Sequence, residues 1–264
     1  MTLLEVTAAD RLSPSLVRIR LRGAVESLGV PDEACVLEFP EPGSREPVEG
    51  SGRWYSVRRV DAEGLTVDIV THPGGTGGEW AAVARVGDRL RRTEHANSWY
   101  RRPEEAGWQV LAGDVTALPA IGRIVEETAG RLRTIVHLEV PDPADAQDLA
   151  GAEVTWHHTP DLGAGSRIGE IVGAVALPEG PGYVYVAGEA AATREARRAL
   201  REAGLPRGTY GVIGYWRAQQ ETWVEKLDAS GVDMVAIHQR AVAEGRDEEE
   251  VRALYDQGLA EAGL

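Results

Sequence analysis

Arg53-Trp54-Tyr55-Ser56-Val57-Arg58-Arg59-Val60, the octet RWYSVRRV, predicts a β-strand, because β-forming residues alternate in it with long polar side chains. Neighbouring side chains of a strand point to opposite faces, so Arg53 and Tyr55 share one face and Ser56 lies on the other. A cation for a phosphate, an aromatic face for a flat ring and small polar groups for ring heteroatoms together suit a flavin nucleotide. The alternative is an ordinary barrel strand with a surface arginine.

The octet lies among short segments with the same alternation. Turns rich in Gly, Pro, Asp and Ser separate these segments between residues 3 and 90, and the stretches are LLEVTAADRL, LVRIRLRG, ACVLEFP and LTVDIVTH. Closely spaced short strands of this kind predict a small antiparallel β-barrel.

A glycine-rich turn follows the last of these strands. It leads into a short helix that begins with Glu79 and Trp80, and it contains Gly74, Gly75, Gly77 and Gly78. The N–H groups of a helix N-terminus, reached over flexible glycines, form a natural phosphate site. Glu79 competes for the same positive helix end, and the alternative interpretation is a plain turn.

The pattern changes after Arg91, and strands then alternate with helical stretches. This alternation predicts a parallel sheet with crossover helices, in which ligands bind at the carboxyl ends of the strands. Two turns, AGDVTALPA and AGEAAATR, place glycine at such ends. We therefore divide the chain into a barrel domain (1–103) and an α/β domain with a helical C-terminal tail (104–264). Glu139 and Asp142 are spaced to reach a ribose, which favours NADH, although nearby arginines keep NADPH open.

Composition limits the possible partners. The net charge of −14 argues against nucleic acid or an anionic membrane as the main partner. No apolar run is long enough to span a membrane and no signal-peptide pattern is present, so we expect a cytoplasmic protein. The single cysteine, Cys35, and the opposed side chains of His157 and His158 predict no metal site. A local basic patch is expected from four arginines, Arg91, Arg92, Arg101 and Arg102.

The order of these parts resembles the siderophore-interacting protein family, flavin-dependent ferric-siderophore reductases of the ferredoxin-reductase-like group. The resemblance spans about residues 3–225 and combines several motifs. They are RxYS at 53–56, the glycine turn before Trp80, GDVTALPAI at 113–121, AGE before an arginine-rich helix, and GYWR at 214–217.

The resemblance implies an antiparallel six-stranded FAD-binding barrel followed by a Rossmann-like parallel-sheet domain that binds NAD(P)H. NAD(P)H would reduce FAD, and electrons would pass to a ferric siderophore with release of ferrous iron. On the FAD side it implies Arg53 at the phosphate, Tyr55 on the isoalloxazine, Ser56 at the polar ring edge, and, around the diphosphate, His72, Gly77, Gly78 and Trp80. The implied nicotinamide nucleotide site consists of Gly113, Asp114, Thr116, Pro119, Gly188 and Glu189, with Trp216 at the flavin–nicotinamide face.

The sequence also departs from the family pattern. Pro73 follows His72, the turn to Trp80 is one residue short, and the segment 91–102 is replaced, so retention of FAD is left open. A second hypothesis is therefore that the fold acts on an organic metabolite, with His95 as the acid–base residue beside Glu94, Asn97 and Trp99. A third is a flavin- or siderophore-binding module without turnover. The physiological acceptor, the choice between NADH and NADPH, and monomer against homodimer also stay open.

Overall fold

The structure, a computed structural model, describes residues 1–41, 43–72, 75–246 and 248–263. Residues 1–216 form one compact unit, and the residues from Arg217 onward form a second. Across the described residues, no helix has both the length and the apolar character needed to cross a bilayer. The predicted domain boundary after residue 103 stays a prediction.

The first unit begins with a closed antiparallel barrel. Its strands are β1 (Thr2–Arg11), β2 (Leu16–Arg22), β3 (Ala34–Glu38), β4 (Arg53–Val60), β5 (Gly64–Val70) and β6 (Arg89–Asn97). They pair in the order β1-β2-β5-β4-β3-β6, and a short helix, α1 (Thr76–Val83), connects β5 to β6. Strand β2 shows the physical basis, because Ile19 and Leu21 are buried while Arg20 and Arg22 face solvent. Alternation of this kind directs apolar side chains into the barrel and polar side chains towards solvent.

The sixth strand lies where the sequence pattern was least regular. β6 is polar over much of its length, and it is out of register with β3 between the pairs Cys35↔Ala96 and Leu37↔Arg92. Two steps along β3 thus face four steps along β6, a bulge that breaks the apolar–polar alternation. Part of the segment 91–102, interpreted from the sequence as a replaced pocket segment, is therefore the strand that closes the barrel.

A five-stranded parallel sheet follows in the same unit. Its strands are β7 (Trp108–Asp114), β8 (Arg133–Val140), β9 (Glu153–His158), β10 (Gly182–Glu189) and β11 (Tyr210–Trp216), in the order β11-β10-β7-β8-β9. The crossovers contain α2 (Leu118–Thr128), a 3₁₀ turn (Pro143–Asp145), α3 (Ile168–Ala174) and α4 (Ala190–Glu202). Apolar side chains project from both faces of the central strands and pack into two separate clusters. This is typical of a parallel sheet with other elements packed on both of its faces. The predicted barrel followed by a parallel-sheet domain is confirmed.

Two buried polar side chains, a carboxylate and a guanidinium, join the barrel to the α/β part. Asp145, which is fully buried, accepts hydrogen bonds from the Ser13 hydroxyl (2.5 Å) and from the Ser15 backbone N–H (2.8 Å) and hydroxyl (2.7 Å). Arg123 of α2 donates to the carbonyl of Val57 in β4 at 3.0 Å. Both contacts satisfy groups that burial removes from water, so they fix how the barrel meets the sheet.

The second unit is helical, as predicted for the tail. It contains α5 (Gln220–Ser230), α6 (Met234–Ala243) and α7 (Glu248–Glu261). Asp233 caps α6 by accepting a hydrogen bond from the Ala236 N–H at 2.8 Å. Helices α6 and α7 pack together where Gly258 leaves room for Ile237.

Two histidines on neighbouring strands form a pair at the edge of the sheet. The Nδ1 atom of His137 lies 3.2 Å from the Nε2 atom of His157, and Arg167 and Glu170 line the same recess. One ring must donate and the other accept, so the hydrogen bond needs a neutral acceptor. Burial, assisted by His157, lowers the pKa of His137, and burial, assisted by Arg167, lowers the pKa of His157.

We predict that replacing Asp145 by alanine lowers the free energy of unfolding by about 2–4 kcal/mol, because three hydrogen-bond donors lose a charged acceptor. Urea unfolding measures this change. Asp142→Ala is the matched control, since exposed Asp142 caps only the 3₁₀ turn through the Ala144 N–H. Its expected loss is about 1 kcal/mol. Equal losses in the two variants would contradict the central role of Asp145.

We predict an acid-sensitive contribution from the histidine pair. A histidine whose pKa is lowered by folding binds more protons when unfolded, so its stabilising contribution is present above the unfolded pKa of about 6.5 and is lost as pH falls. The urea midpoint of wild type should therefore fall more between pH 7.5 and 5.5 than that of His137→Gln. Replacement of the exposed His95 by Gln is the control for removing a histidine. A pH dependence that His137→Gln leaves unchanged would contradict the prediction.

Candidate functional site

The octet's inward face builds an aromatic cluster at the rim of the barrel. Tyr55 pairs with Cys35 across β3 and lies edge-on to Phe39, with ring centroids 5.3 Å apart. Phe39 meets Trp80 of α1 in the same way, also at 5.3 Å. Burial raises the pKa of Tyr55 to about 12, so its hydroxyl is a neutral hydrogen-bonding group. Tyr55 and Trp80, both predicted site residues, thus share one cluster.

The glycine turn packs directly on this cluster. A Cβ atom on Gly77 would lie 1.8 Å from the Tyr55 hydroxyl oxygen, and one on Gly78 would lie 2.8 Å from the carbonyl oxygen of Val70. The His72 ring lies over Gly75, whose Cβ atom would be 2.3 Å from His72 Cε1. The predicted residues His72, Gly77 and Gly78 are therefore brought together with Tyr55, while Pro73 and Gly74 lie outside the described residues.

Arg53 supplies a cation beside this rim. Its side chain is exposed and donates to the carbonyl oxygens of Gly52 at 2.8 Å and Ser51 at 3.3 Å. Helix α1 begins after Gly75 without a side-chain cap. A guanidinium and an N-terminus without a side-chain cap are the donors that a phosphate requires.

The opposite face of the octet meets the carboxyl end of β11. Trp54, 49% exposed, lies edge-on to Trp99 at 6.0 Å, and Trp99 lies 6.5 Å from the ring of Tyr215. Burial raises the pKa of Tyr215 to about 12, and hydrogen bonds with Tyr185 and then Ser56 act in the opposite direction. Ser56 therefore lies where the barrel meets the α/β part.

The ends of three parallel strands converge on one carboxylate. Asp114, fully buried at the end of β7, accepts hydrogen bonds from Thr116, from the Glu189 N–H at 2.9 Å and from the indole N–H of Trp216 at 2.8 Å. Burial raises the pKa of Asp114, and the donors from Thr116 and Trp216 oppose that rise. Glycines allow the close approach, since a Cβ atom on Gly188 would lie 2.6 Å from Asp114 Oδ2. One on Gly113 would lie 2.6 Å from the Ala187 carbonyl oxygen.

Two helices begin at these strand ends, and they differ in capping. The Glu189 carboxylate caps α4 by accepting from the N–H groups of Ala191 (2.6 Å) and Ala192 (2.9 Å). Helix α2 has no side-chain cap and starts with Pro119 in its first turn, next to Thr116. An anionic group bound at this end of the sheet would thus accept hydrogen bonds from the N–H groups at the start of α2. The corresponding N–H groups of α4 are already bound by the Glu189 carboxylate.

Several residues singled out from the sequence have other roles in the structure. Glu139 is fully buried, and its carboxylate accepts hydrogen bonds from Thr159, Ser166 and the Arg167 N–H. Asp142 caps the 3₁₀ turn. Because the Glu139 carboxylate already accepts three protein donors, it no longer supports the expected lean towards NADH, and for exposed Asp142 that lean stays a prediction.

The four arginines of the expected basic patch form hydrogen bonds with residues of the barrel and of the linker that follows β6. Arg91 binds Glu38 at 2.9 Å, and Arg92 donates to the Glu26 carbonyl at 3.0 Å. Arg101 binds the Ser98 hydroxyl at 2.8 Å, and Arg102 donates to the Pro103 carbonyl at 2.9 Å. These guanidinium groups stabilise local structure rather than standing as a patch of unpaired cations.

His95 lies apart from the other predicted residues. It is exposed on the bulged part of β6, and β3 separates β6 from the octet strand β4. Glu94 and Asn97 are exposed on the same strand. Of the residues proposed for a changed pocket, the structure therefore brings only Trp99 to the junction beside Ser56.

Sequence reasoning missed two residues of this junction, Tyr215 and Asp32. Tyr215 lies inside the GYWR motif, so its position was signalled although only Trp216 was selected. Asp32, in the loop before β3, accepts from the Ser98 hydroxyl and from the N–H groups of Trp99 and Tyr100 at 2.5–2.7 Å. No local pattern signals this contact, because its partners lie far along the chain.

Comparisons with known proteins agree with this arrangement. The family model "Siderophore-interacting FAD-binding domain" matches residues 5–94, and the model "Siderophore-interacting protein" matches residues 106–219. The ferric vibriobactin reductase ViuB of Vibrio cholerae serotype O1 is 31% identical over 244 residues, which cover 81% of this chain and 89% of that protein.

Solved structures show the same fold. A siderophore utilization protein from T. fusca is 36% identical, with a TM-score of 0.71, over 82% of this chain and 92% of that chain. A ferredoxin NADP+ reductase from Neisseria gonorrhoeae, with bound FAD and NADP, shares the fold at 15% identity and a TM-score of 0.63, over 81% of this chain and 98% of that one. The chain belongs to the siderophore-interacting protein family.

Proposed function

We propose that the chain is a flavin-dependent oxidoreductase that carries electrons from NAD(P)H through FAD to a ferric siderophore and releases ferrous iron. The observation that carries this proposal is the junction itself. The Arg53–Ser56 stretch packs on the glycine turn with one face and meets the carboxyl end of the parallel sheet with the other. This brings the two candidate cofactor sites to a single place.

The residues at the barrel rim fit FAD. Gly77 and Gly78 let the turn pack closely on Tyr55 and Val70, and within the part of the chain that the structure describes no side chain caps the N–H groups at the start of α1. In our proposal Arg53 and this helix end hold the diphosphate, and Tyr55 supplies an aromatic surface for the ring system. Ser56 presents a hydroxyl to the polar edge of the ring.

The residues at the strand ends fit a nicotinamide nucleotide. The N-terminus of α2, which has Pro119 in its first turn, would receive the pyrophosphate, and Thr116 would shape the turn before it by donating its N–H and hydroxyl to Asp114. Gly113 and Gly188 allow the strand ends to pack closely around Asp114, and Trp216 would form the wall beside the junction. Either NADH or NADPH is compatible with this arrangement.

When bound, a flavin accepts a hydride from a nicotinamide and passes electrons on to a one-electron acceptor. The protein's part is orientation and exclusion of water, so no acid–base residue is required. Tyr55, Trp80 and Phe39 would shield one side of the site, and Trp54, Trp99 and Tyr215 would line the other. Ferric siderophore would approach from solvent as the substrate.

We predict that the purified protein takes up FAD, shows flavin absorption bands and loses them on anaerobic addition of NADH or NADPH. Addition of a ferric catecholate siderophore should restore the bands and release ferrous iron, measured with a ferrous-specific chelator. If the folded protein does not bind FAD, the proposal is wrong. Retention of FAD without nucleotide-dependent bleaching would instead support a binding module without turnover.

A second experiment tests the role of Arg53 in FAD binding. Arg53→Ala should weaken FAD binding about 10–100-fold, because a hydrogen bond from a cation to a phosphate contributes about 1.5–3 kcal/mol. Arg59→Ala is the matched control, since Arg59 is an exposed arginine on the same strand. FAD titration by fluorescence quenching provides the dissociation constants. Equal effects of the two substitutions would remove Arg53 from the site.

We predict that Gly77→Ala destabilises the protein by about 1–3 kcal/mol and weakens FAD binding, because its methyl group would collide with the Tyr55 hydroxyl. Urea unfolding and FAD titration measure the two effects. Gly165→Ala is the control, since a Cβ atom there meets nothing within 4 Å. Tyr55→Phe in the Gly77→Ala background should recover part of the stability. If Gly77→Ala changes neither the free energy of unfolding nor FAD binding, the turn is not closely packed on Tyr55.

A further inference from the structure

Asp114 accepts as many hydrogen bonds as a carboxylate can. Its Oδ1 atom receives the Thr116 N–H at 2.8 Å and the Thr116 hydroxyl at 2.5 Å. Its Oδ2 atom receives the Glu189 N–H at 2.9 Å and the Trp216 indole N–H at 2.8 Å. A carboxylate has about four acceptor positions, and all four are occupied by protein donors. No oxygen of this fully buried side chain is left for a nucleotide.

The backbone is shaped to bring Trp216 to this carboxylate. Strands β10 and β11 run in register up to the pair Gly188↔Gly214, and the next pair is Glu189↔Trp216. β11 therefore contains one extra residue, Tyr215, at the strand end. A bulge of this kind re-aims the side chain that follows it. Here it turns the Trp216 indole towards Asp114, across β10.

The contact leaves the Trp216 ring partly exposed while fixing its orientation. Trp216 is half-buried against the apolar core between the sheet and α2, and the only polar atom of its side chain is bound to Asp114. Tyr215, the preceding residue, hydrogen bonds to buried Tyr185 at 2.9 Å. Each aromatic side chain at the end of β11 is thus hydrogen-bonded to a buried polar side chain, Tyr215 to Tyr185 and Trp216 to Asp114.

We infer that Asp114 is a positioning residue that locks the Trp216 indole as a fixed wall of the site where the nicotinamide ring meets the flavin. This inference rests on the proposed function, and it replaces the expectation that Asp114 binds the nucleotide itself. A wall of fixed orientation restricts the nicotinamide to reactive poses. Loss of the lock should therefore affect the rate of flavin reduction more than the affinity for the nucleotide.

The first test needs no cofactor. The indole N–H signal of Trp216 in a ¹⁵N-labelled sample can be assigned from its absence in Trp216→Phe. In wild type this proton should exchange slowly with solvent, because it is donated to a buried carboxylate. In Asp114→Asn we expect exchange at least about tenfold faster, because the substitution removes acceptor positions. Unchanged exchange would overturn the inference.

The second test follows anaerobic flavin reduction with rapid mixing. Trp216→Phe and Asp114→Asn should each lower the limiting rate constant about tenfold, with the half-saturating NAD(P)H concentration changed less than about threefold. Because both act on one contact, the double variant should lose no more than the larger single loss. Trp216→Phe removes a single donor, so it serves if Asp114→Asn fails to fold.

Asp68→Asn is the matched control, since Asp68 of β5 is another buried aspartate, and its carboxylate accepts two hydrogen bonds from Arg18 within the barrel. It should lower stability and leave the limiting rate unchanged. If Trp216→Phe and Asp114→Asn also change stability alone, the lock is structural and the inference fails while the proposed function stands. A folded wild type that takes up no FAD would overturn the proposed function and the kinetic role together.

Discussion

Buried polar contacts hold the barrel against the parallel sheet, and the hydrogen bonds of Asp32 fix the chain where it passes from one to the other. This carboxylate is fully buried, and it accepts three donors from Ser98, Trp99 and Tyr100, at the point where the chain leaves β6 for β7. A buried carboxylate that lost these donors would bear a large desolvation cost, so the linker cannot leave it without unfolding locally. The linker is thereby part of the barrel's core structure.

The position of Trp99 follows from that constraint. With its backbone held by Asp32, its ring is placed between Trp54 on the octet strand and Tyr215 on β11. Further along the same contact region, Arg123 of α2 donates to the Val57 carbonyl and lies 3.6 Å from buried Glu33. The junction is therefore rigid, because buried charges and backbone groups satisfy one another there. A rigid junction suits the proposed electron transfer, which needs the two candidate cofactor sites held at a fixed distance.

Most of the fold was predictable from the sequence, because local patterns encode it. The octet, its neighbouring strands and the alternation of strands and helices after residue 103 all appear where periodicity places them. Strand β6 was not recognised, since a bulge and a polar composition erase its alternation. Hydrophobic periodicity reports one side of a regular strand, and it does not report a strand that bends out of register.

The candidate site was predictable in its motifs and not in its contacts. Tyr55, Trp80 and the glycines were found because residue type and spacing carried the signal. The role of Asp114 was not, since its partners Glu189 and Trp216 lie 75 and 102 residues away. Sequence identified Asp114 as important, but only the folded structure shows that its oxygens are all occupied. The same limit explains Glu139, whose spacing suggested a ribose ligand and whose carboxylate serves Ser166 and Thr159.

The net charge of the chain and the hydrogen bonds of its arginines determine how it would bind the proposed substrate. The chain has a net charge of −14, Lys226 is its single lysine, and Arg91, Arg92, Arg101 and Arg102 are engaged with nearby acceptors. Long-range attraction of an anionic ferric chelate therefore has little support in the summed charge, which repels anions. Recognition would depend on contacts made after encounter, at the exposed aromatic surface of Trp54 and its neighbours. A substrate with aromatic ligands to iron fits that surface better than one recognised by charge alone, since a flat ring stacks on an indole without needing a cation.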